Sequence, residues 1–214
     1  MDDKALDKAR SRLRVAKKAL LELEASETFQ EFADNWYVFL GSAKNIYTVL
    51  EQGAKCSAQS KQWFGAKKRV RKQDQLLQYL YEARNDDEHG LGSSIALQPE
   101  RRAIGIAEPG YSNTMILNGG PFKDVLVSGG STAFVSEGPL PVDIRATPLD
   151  GKPVLERRTP ATAILIEVKA RGNRIYNPPT THLGDDLTDV SPISVAKLAI
   201  DYLEGLIAEA SSLT

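Results

Sequence analysis

The chain has 214 residues, with 27 lysines and arginines against 28 aspartates and glutamates, so its formal net charge at pH 7 is −1. This charge gives no general affinity for nucleic acid, and any polyanion site must be a local patch. No apolar run approaches the roughly 18 residues that a membrane helix needs, and the single cysteine excludes an internal disulfide. We therefore expect a cytoplasmic protein with no membrane partner.

The composition changes near residue 92. All 11 prolines lie beyond this point, among short apolar stretches and turn residues. Because proline breaks helix interiors, the change predicts a helical domain over residues 1–92, followed by a β-rich region with a C-terminal helix over residues 93–214. The expected fold class is α+β, with a smaller antiparallel β-rich region after the helices.

The helical domain is predicted to contain four or five helices, and four of them can be placed. The first covers about residues 3–24, and the second begins after the capping box of Thr28 and Glu31 with an aromatic-rich apolar face. A short helix is predicted over residues 57–64. The last runs over about residues 73–89, where glycines supply a stop.

The second part contains six candidate strands, which alternate with Gly, Pro, Asn and Asp turns. They cover residues 103–107, 114–117, 124–127, 133–136, 142–147 and 163–170. Ser191 and Pro192 form an N-cap and first-turn pair, which predicts a final amphipathic helix.

The most informative stretch is Arg84-Asn85-Asp86-Asp87-Glu88-His89, at the end of the last helix of the first domain. Arginine can neutralise phosphate with a planar donor fork, and histidine can give or take a proton near neutral pH. Together these groups could cleave RNA without a metal ion. Arg84, Asn85 and His89 are therefore the predicted catalytic residues, and neither a metal nor another cofactor is expected.

The positions of Arg84, Asn85 and His89 around the helix decide whether one copy of the chain can form such a site. Asn85 and His89 share a face, but Arg84 is rotated about 100° from Asn85. One isolated helix therefore cannot close Arg84 and His89 around a single phosphate. Two copies that meet across a two-fold axis could, so the spacing predicts a homodimer through this helix.

The same stretch also has a purely structural interpretation. Arg84 and Glu88 are spaced for an i,i+4 ion pair, and His89 could cap the last turn. Asp86 and Asp87 could simply solvate an exposed face. The three acidic residues would also repel RNA phosphates.

The pattern Trp63 … Asp74-x-Leu76-Leu77-x-x-Leu80-x-x-Ala83-Arg84-Asn85-x-x-x-His89-Gly90 resembles HEPN-domain proteins over roughly residues 25–92. Their motif is an arginine, a polar residue, three variable positions and a histidine, on the last long helix of a small bundle. The resemblance implies an up-and-down bundle that dimerises through the motif helices. In catalytic members it implies metal-independent ribonuclease activity, by attack of the RNA 2′-hydroxyl.

The resemblance also implies roles for single residues. Arg84 would stabilise the pentacoordinate phosphorane, Asn85 would orient the phosphate or the histidine, and His89 would act as general acid or base. Because many HEPN-like proteins are not nucleases, two functions are expected. One is a dimeric endoribonuclease in a toxin or phage-defence context. The other is a non-catalytic dimerisation and binding protein whose β-rich part contacts a protein partner or inhibitor.

A basic run precedes the motif helix and follows Trp63 and Phe64. It comprises Lys67, Lys68, Arg69, Arg71 and Lys72. Basic side chains beside an aromatic platform predict contact with an RNA backbone. The alternative is a solvated loop, with Trp63 and Phe64 in the core.

Three weaker patterns favour structural roles. Glu167 and Lys169 superficially resemble the metal-binding half of PD-(D/E)xK nucleases, with Asp143 as upstream carboxylate, but alternation along a half-exposed strand explains them better. His182 with two adjacent acids is poor evidence for a metal. Cys56 is expected to be buried.

Overall fold

The computed structural model describes residues 1–89, 92–104, 114–119, 122–128, 134–137, 145–149, 156–170 and 174–213. The chain divides into two compact units, one formed by Met1–Ala96 with Ala163–Thr214 and the other by Leu97–Thr162. This differs from the division expected at residue 92. The C-terminal segment belongs with the N-terminal helices because its apolar face completes their core.

Five α-helices lie among the described residues, all in the first unit. They are α1 (Asp3–Ala25), α2 (Phe29–Gly53), α3 (Ala58–Gln73), α4 (Gln75–His89) and α5 (Pro192–Ser211). The predicted capping box at the start of α2 and the Ser191 cap of α5 are both confirmed. The third helix is longer than predicted, because α3 continues through the basic run, whose lysines and arginines are good helix formers.

Twelve short strands lie among the described residues. They are β1 (Ile95–Gln98), β2 (Arg101–Ile104), β3 (Thr114–Gly119), β4 (Phe122–Ser128), β5 (Phe134–Glu137), β6 (Arg145–Pro148), β7 (Glu156–Thr159), β8 (Thr162–Leu165), β9 (Val168–Ala170), β10 (Arg174–Tyr176), β11 (Thr181–His182) and β12 (Asp185–Asp186). Each of the six predicted strands overlaps an observed one, and residues 163–170 divide into β8 and β9. The α+β class, with a helical bundle and small antiparallel sheets, is confirmed.

The first unit is a helical bundle with short strands packed beside α4. The helices α1 and α2 form a hairpin, and α5 packs on α1. One apolar cluster joins Trp36 and Phe39 of α2 to Leu76 of α4 and Val195 of α5. A second cluster joins α1, α2, α3 and α5 through residues such as Leu6, Ile46, Phe64, Leu203 and Leu206. The N-terminal amine also donates to the carbonyl of Leu213, so the two ends of the chain meet.

The second unit contains two three-stranded antiparallel sheets, with strand orders β4-β3-β6 and β5-β2-β7. Met115 and Leu117 on β3 are buried, as the period of two along a strand requires. Gly119, the last residue of β3, has φ 103°, a left-handed conformation that favours glycine. None of the helices described combines the length and the apolar character that a bilayer crossing requires.

Candidate functional site

Helix α4 begins with a side-chain cap and directs Arg84 towards α2. The Asp74 carboxylate accepts a hydrogen bond from the Leu77 amide at 2.8 Å, which satisfies a donor in the first turn. Arg84 is buried, with 7% of its surface exposed. It packs closely on Gly41 of α2, where an added Cβ would lie 3.3 Å from the Arg84 Nε, a tight contact.

The Arg84 guanidinium is held by groups of its own chain. Its Nη2 lies 2.6 Å from Oε1 of Glu88, so the i,i+4 ion pair that the spacing predicts is present. The Tyr37 ring lies 4.6 Å from the Arg84 Cζ, and the Tyr37 hydroxyl accepts a weak hydrogen bond from Nη2 at 3.4 Å. The other Glu88 oxygen accepts from Lys44 at 2.5 Å. This arrangement neutralises and encloses the guanidinium.

The remaining residues of the motif have different surroundings. The Asn85 amide donates to Glu82 at 3.2 Å, and the Lys169 amide on β9 donates weakly to the Asp86 carboxylate at 3.4 Å. The predicted orienting role of Asn85 stays a prediction. The side chain of His89 lies outside the described part of the structure, so its role as acid or base also stays a prediction.

Asp87 does not simply solvate an exposed face, as the structural interpretation expected. Its Oδ2 is buried and has no hydrogen-bond partner among the described residues. Burial raises the pKa of the Asp87 carboxyl, the Arg84 charge lowers it, and the neighbouring Asp86 and Glu88 raise it further. Burial and the neighbouring carboxylates therefore make the ionised form of Asp87 less favourable.

The exposure of α4 bears on the predicted homodimer. Over residues 75–88 only Gln75 and Glu88 are exposed. The other positions are buried or half-buried, because α4 packs against α2, α3, β9 and β11. Little of this helix is free to meet a second copy in the arrangement described, and dimerisation through it stays a prediction.

The five residues predicted to bind RNA lie on α3, and the expectation of a solvated loop is wrong. The rotation of about 100° per residue distributes them around the helix. Lys67 pairs with Glu209 at 2.6 Å and Lys68 with Glu51 at 2.7 Å. The side chains of Arg69 and Lys72 are exposed, whereas Arg71 is buried. These residues do not form a single strip along α3, and RNA binding by this run stays a prediction.

Two aromatic residues beside this run have structural contacts. Phe64 is buried in the second apolar cluster. Trp63 is half-buried, and its indole N–H donates to Glu209 at 3.2 Å. Both rings therefore contribute to packing within the helical unit, and neither forms an open platform for bases.

A buried pair of ionisable residues was not predicted from the sequence. His182 Nδ1 lies 3.0 Å from Oδ1 of Asp74, and the Leu183 amide donates to the other Asp74 oxygen at 2.6 Å. The two partners are 108 positions apart, so no local spacing could indicate their contact. The pair fixes the β11–β12 turn to the first turn of α4.

The weaker patterns have mixed outcomes. Glu167 and Lys169 are exposed on either side of the buried Val168, which confirms the alternation, and Asp143 lies outside the described residues. No metal-binding group of three or more His, Cys, Asp or Glu residues exists among the residues described. The expectation for Cys56 is wrong, because it is exposed in the 3₁₀ turn that follows α2.

Comparison with known proteins found no matching family model, no matching curated protein and no matching solved structure. The HEPN-like resemblance therefore rests on the motif and on its place at the end of α4.

Proposed function

We propose that this protein is a non-catalytic, HEPN-like binding protein, whose helices form a scaffold and whose β-rich part contacts a protein partner. The environment of Arg84 supports this proposal. A catalytic arginine must present its N–H groups to a phosphate, but this guanidinium is buried and paired with Glu88. Arg84 thus stabilises the contact between α2 and α4.

The charges around Arg84 also favour this proposal. A phosphate that approached the guanidinium would meet the carboxylate of Glu88, which is paired with Arg84, and that of Asp87, which interacts with the Arg84 charge. Two unit charges 4 Å apart interact with about 4 kcal/mol near a protein surface. Repulsion from these carboxylates would offset part of the attraction to one arginine.

The β-rich unit offers a surface suited to a protein partner. Strand β4 is at the edge of its sheet, and among the described residues it pairs with β3 alone. Residues 123–126 along it are exposed, and they include Val125 and Leu126, the latter with 61% of its surface accessible. An edge strand with unpaired backbone groups and apolar side chains can take an extended peptide as a further strand.

The absence of catalysis can be tested directly. Purified protein is incubated with single-stranded and structured RNA in EDTA, beside Arg84→Ala, His89→Ala and the control Arg14→Ala, which changes an exposed arginine of α1. We expect no cleavage by folded wild-type protein. Cleavage that Arg14→Ala retains and both motif variants lose would overturn the proposal and support the endoribonuclease.

Partner binding requires its own measurement. Peptides selected against the full chain from a display library would be titrated against wild type, Leu126→Lys and Lys123→Ala. We expect apolar, extended peptides whose affinity falls at least tenfold with Leu126→Lys and little with Lys123→Ala. Equal affinity for all three proteins would exclude β4 as the binding strand.

One observation favours the endoribonuclease as a second candidate function. The Nε and Nη1 of Arg84 are buried without a hydrogen-bond partner among the described residues, and such donors are costly unless an acceptor reaches them. Tyr37, which covers the guanidinium, is 48% exposed and could move aside. If a catalytic state opens in this way, Tyr37→Ala should raise the cleavage rate. A rate that remains at zero in Tyr37→Ala would argue against this candidate.

A further inference from the structure

A cavity of ≈ 80 Å³ lies between α2, α3 and α4 in the helical unit. Its lining includes Lys44, Tyr47, Thr48, Lys68, Arg71 and Tyr81. The volume is roughly five times what a single buried water requires, so the cavity can hold a small polyatomic group. Arg84 and Glu88 do not line this cavity. Lys44 lines it and also donates a hydrogen bond to Glu88.

Arg71 is the unusual member of this lining. It is buried, with 8% of its surface exposed, and its Nε has no hydrogen-bond partner among the described residues. Its Cζ lies 3.7 Å from the centre of the Tyr81 ring and 5.2 Å from that of Tyr47. No carboxylate of the described residues forms an ion pair with it. The two rings stabilise the cation but do not neutralise it.

A buried charge that lacks a counter-ion is unfavourable, because water and ions solvate it far better than apolar side chains do. The other charged groups around the cavity do not supply the missing anion. The single carboxylate of its lining, Glu51, pairs with Lys68 at 2.7 Å. Lys44 pairs with Glu88 at 2.5 Å, outside the lining. The lining therefore has three cationic side chains and one carboxylate, and the buried Arg71 is the cation without a counter-ion among the residues described.

We propose that this cavity binds a phosphate group, either inorganic phosphate or the phosphate of a small monoester, with Arg71 as its central ligand. The planar guanidinium can donate two parallel hydrogen bonds to two phosphate oxygens. The ammonium groups of Lys44 and Lys68 have further N–H donors beyond their present ion pairs. The hydroxyl of Thr48 donates to the Lys44 carbonyl at 3.3 Å, a weak bond that it can exchange for a phosphate oxygen.

Tyr47 adds a further feature that suits an anion. Its hydroxyl is buried, lies near that of Tyr202 and makes no hydrogen bond of normal length among the described residues. Burial, followed by the nearby Tyr202, raises the pKa of Tyr47, so the hydroxyl remains protonated and neutral at physiological pH. The ring therefore adds no negative charge that would oppose a phosphate.

The site is tested by titrating the full chain with inorganic phosphate and with phenyl phosphate in calorimetry, at constant ionic strength in a chloride buffer. We expect saturable binding with a Kd at or below about 1 mM, the range of a modest charged site. Tighter binding of phenyl phosphate would indicate a monoester ligand, and tighter binding of the inorganic ion would indicate free phosphate. No saturation by either probe at about ten times that concentration overturns the proposal.

Variants locate the binding on Arg71. Arg71→Met removes the charge and keeps much of the side-chain volume, while Arg69→Met removes an exposed arginine of the same helix as a matched control. We expect Arg71→Met to abolish binding, Lys68→Gln to weaken it about tenfold and Arg69→Met to leave it unchanged within twofold. Binding by a folded Arg71→Met that equals wild type overturns the proposal.

A spectroscopic measurement on wild-type protein covers the case in which Arg71→Met does not fold. The Arg71 Nε–H resonance, assigned in a ¹⁵N spectrum, should move on addition of phosphate and saturate with the calorimetric Kd. An Arg71 signal that stays in place while phosphate binds would overturn the proposed ligand role.

Discussion

The Nη2 of Arg84 lies 2.6 Å from the Oε1 of Glu88, one turn further along α4. Because Lys44 on α2 donates to the second oxygen of the same carboxylate, Glu88 connects the two helices through opposite charges. The arginine side chain is 8% exposed and the glutamate 32% exposed, so the pair is only partly screened by water. An arginine in this position stabilises the bundle whether or not the motif is catalytic.

Removal of Arg84 should therefore destabilise the fold. We expect Arg84→Ala to lower the free energy of unfolding by about 2–3 kcal/mol, because it removes one of the two cations that pair with Glu88 and opens a space beside Gly41. Arg84→Met should lower it less, since its apolar chain fills part of that space. Urea denaturation measures both. The exposed Arg69→Ala should stay within about 0.5 kcal/mol of wild type, and an equally small effect of Arg84→Ala would contradict this structural role.

A second prediction concerns the buried hydroxyl of Tyr79. It lies 2.7 Å from the carbonyl oxygen of Ile166 and 3.0 Å from that of Ser94, two backbone segments that flank the second unit in sequence. Burial raises the pKa of Tyr79, so the hydroxyl stays a donor through the physiological pH range. Tyr79→Phe should cost about 1–2 kcal/mol of unfolding free energy, because it leaves buried carbonyl groups with fewer donors.

The matched control for Tyr79→Phe is Tyr37→Phe. Tyr37 is half exposed, and its hydroxyl makes only a weak hydrogen bond with Arg84. Chemical denaturation of the two variants should give a change within about 0.5 kcal/mol for Tyr37→Phe. Hydrogen exchange at the Ile166 amide, which donates to the Ser94 carbonyl, should accelerate in Tyr79→Phe alone. Equal protection of that amide in all three proteins would rule out the proposed role of Tyr79.

The features that could be predicted from the sequence depend on neighbours within one or two helical turns. The capping box of Thr28 and Glu31 lies within four residues, and the Arg84–Glu88 pair is spaced by one turn, so both can be recognised locally. The position at which α3 ends could not be predicted, because the second half of this helix has no apolar stripe that would indicate a helix. That half is supported by contacts such as Lys67 with Glu209, which lie far apart in the sequence.

Long-range contacts also explain why the surroundings of the candidate sites were not predicted. The cover over Arg84 comes from Tyr37, and the rings beside Arg71 come from two other helices. The final helix was predicted as an element, but its membership of the N-terminal bundle depends on packing against α1. Periodicity gives the apolar face of a helix and does not identify the helix that covers it.

A third prediction uses two glycines in different packing environments. At Gly53, the last residue of α2, an added Cβ would overlap the Cβ of Ala5 and would lie 3.1 Å from the Met1 sulfur. Gly53→Ala should therefore destabilise the protein by about 1–3 kcal/mol, because the N-terminal turn must move. At Gly65 within α3, no atom lies within 4 Å of the added Cβ. Gly65→Ala should stabilise by about 0.5–1 kcal/mol through helix propensity alone.

Thermal denaturation of the two alanine variants would give opposite shifts of Tm. Gly205→Ala on α5 is a second control of the same kind as Gly65→Ala, because no atom lies within 4 Å of its added Cβ either. A Gly53→Ala that is more stable than wild type would show that the contact between the α1 start and the α2 end is not as described. A destabilised Gly65→Ala would show that the space around Gly65 on α3 is not open.

The last prediction concerns pH and the contact between α3 and α5. Glu209 accepts hydrogen bonds from Lys67 at 2.7 Å and Trp63 at 3.2 Å. The Lys67 bond is the main cause that lowers the pKa of Glu209 below its ordinary value of 4.5. Because the folded pKa is the lower one, the ionised carboxylate stabilises the fold above the unfolded pKa. This contribution is lost as pH falls through the folded value.

Glu209→Gln should therefore lower the free energy of unfolding by about 0.5–1 kcal/mol near neutral pH, a small effect because water reaches the half-exposed glutamate and screens the pair. The difference in unfolding free energy between Glu209→Gln and wild type should shrink as the pH falls below the ordinary pKa of glutamate, and it should vanish in acid. In a Lys67→Met background, Glu209→Gln should have a much smaller effect at neutral pH, because the main partner is already absent. Urea denaturation at several pH values measures all four proteins. A difference that is independent of pH, or equally large without Lys67, would show that packing of the Glu209 side chain, and not its charge, joins α3 to α5.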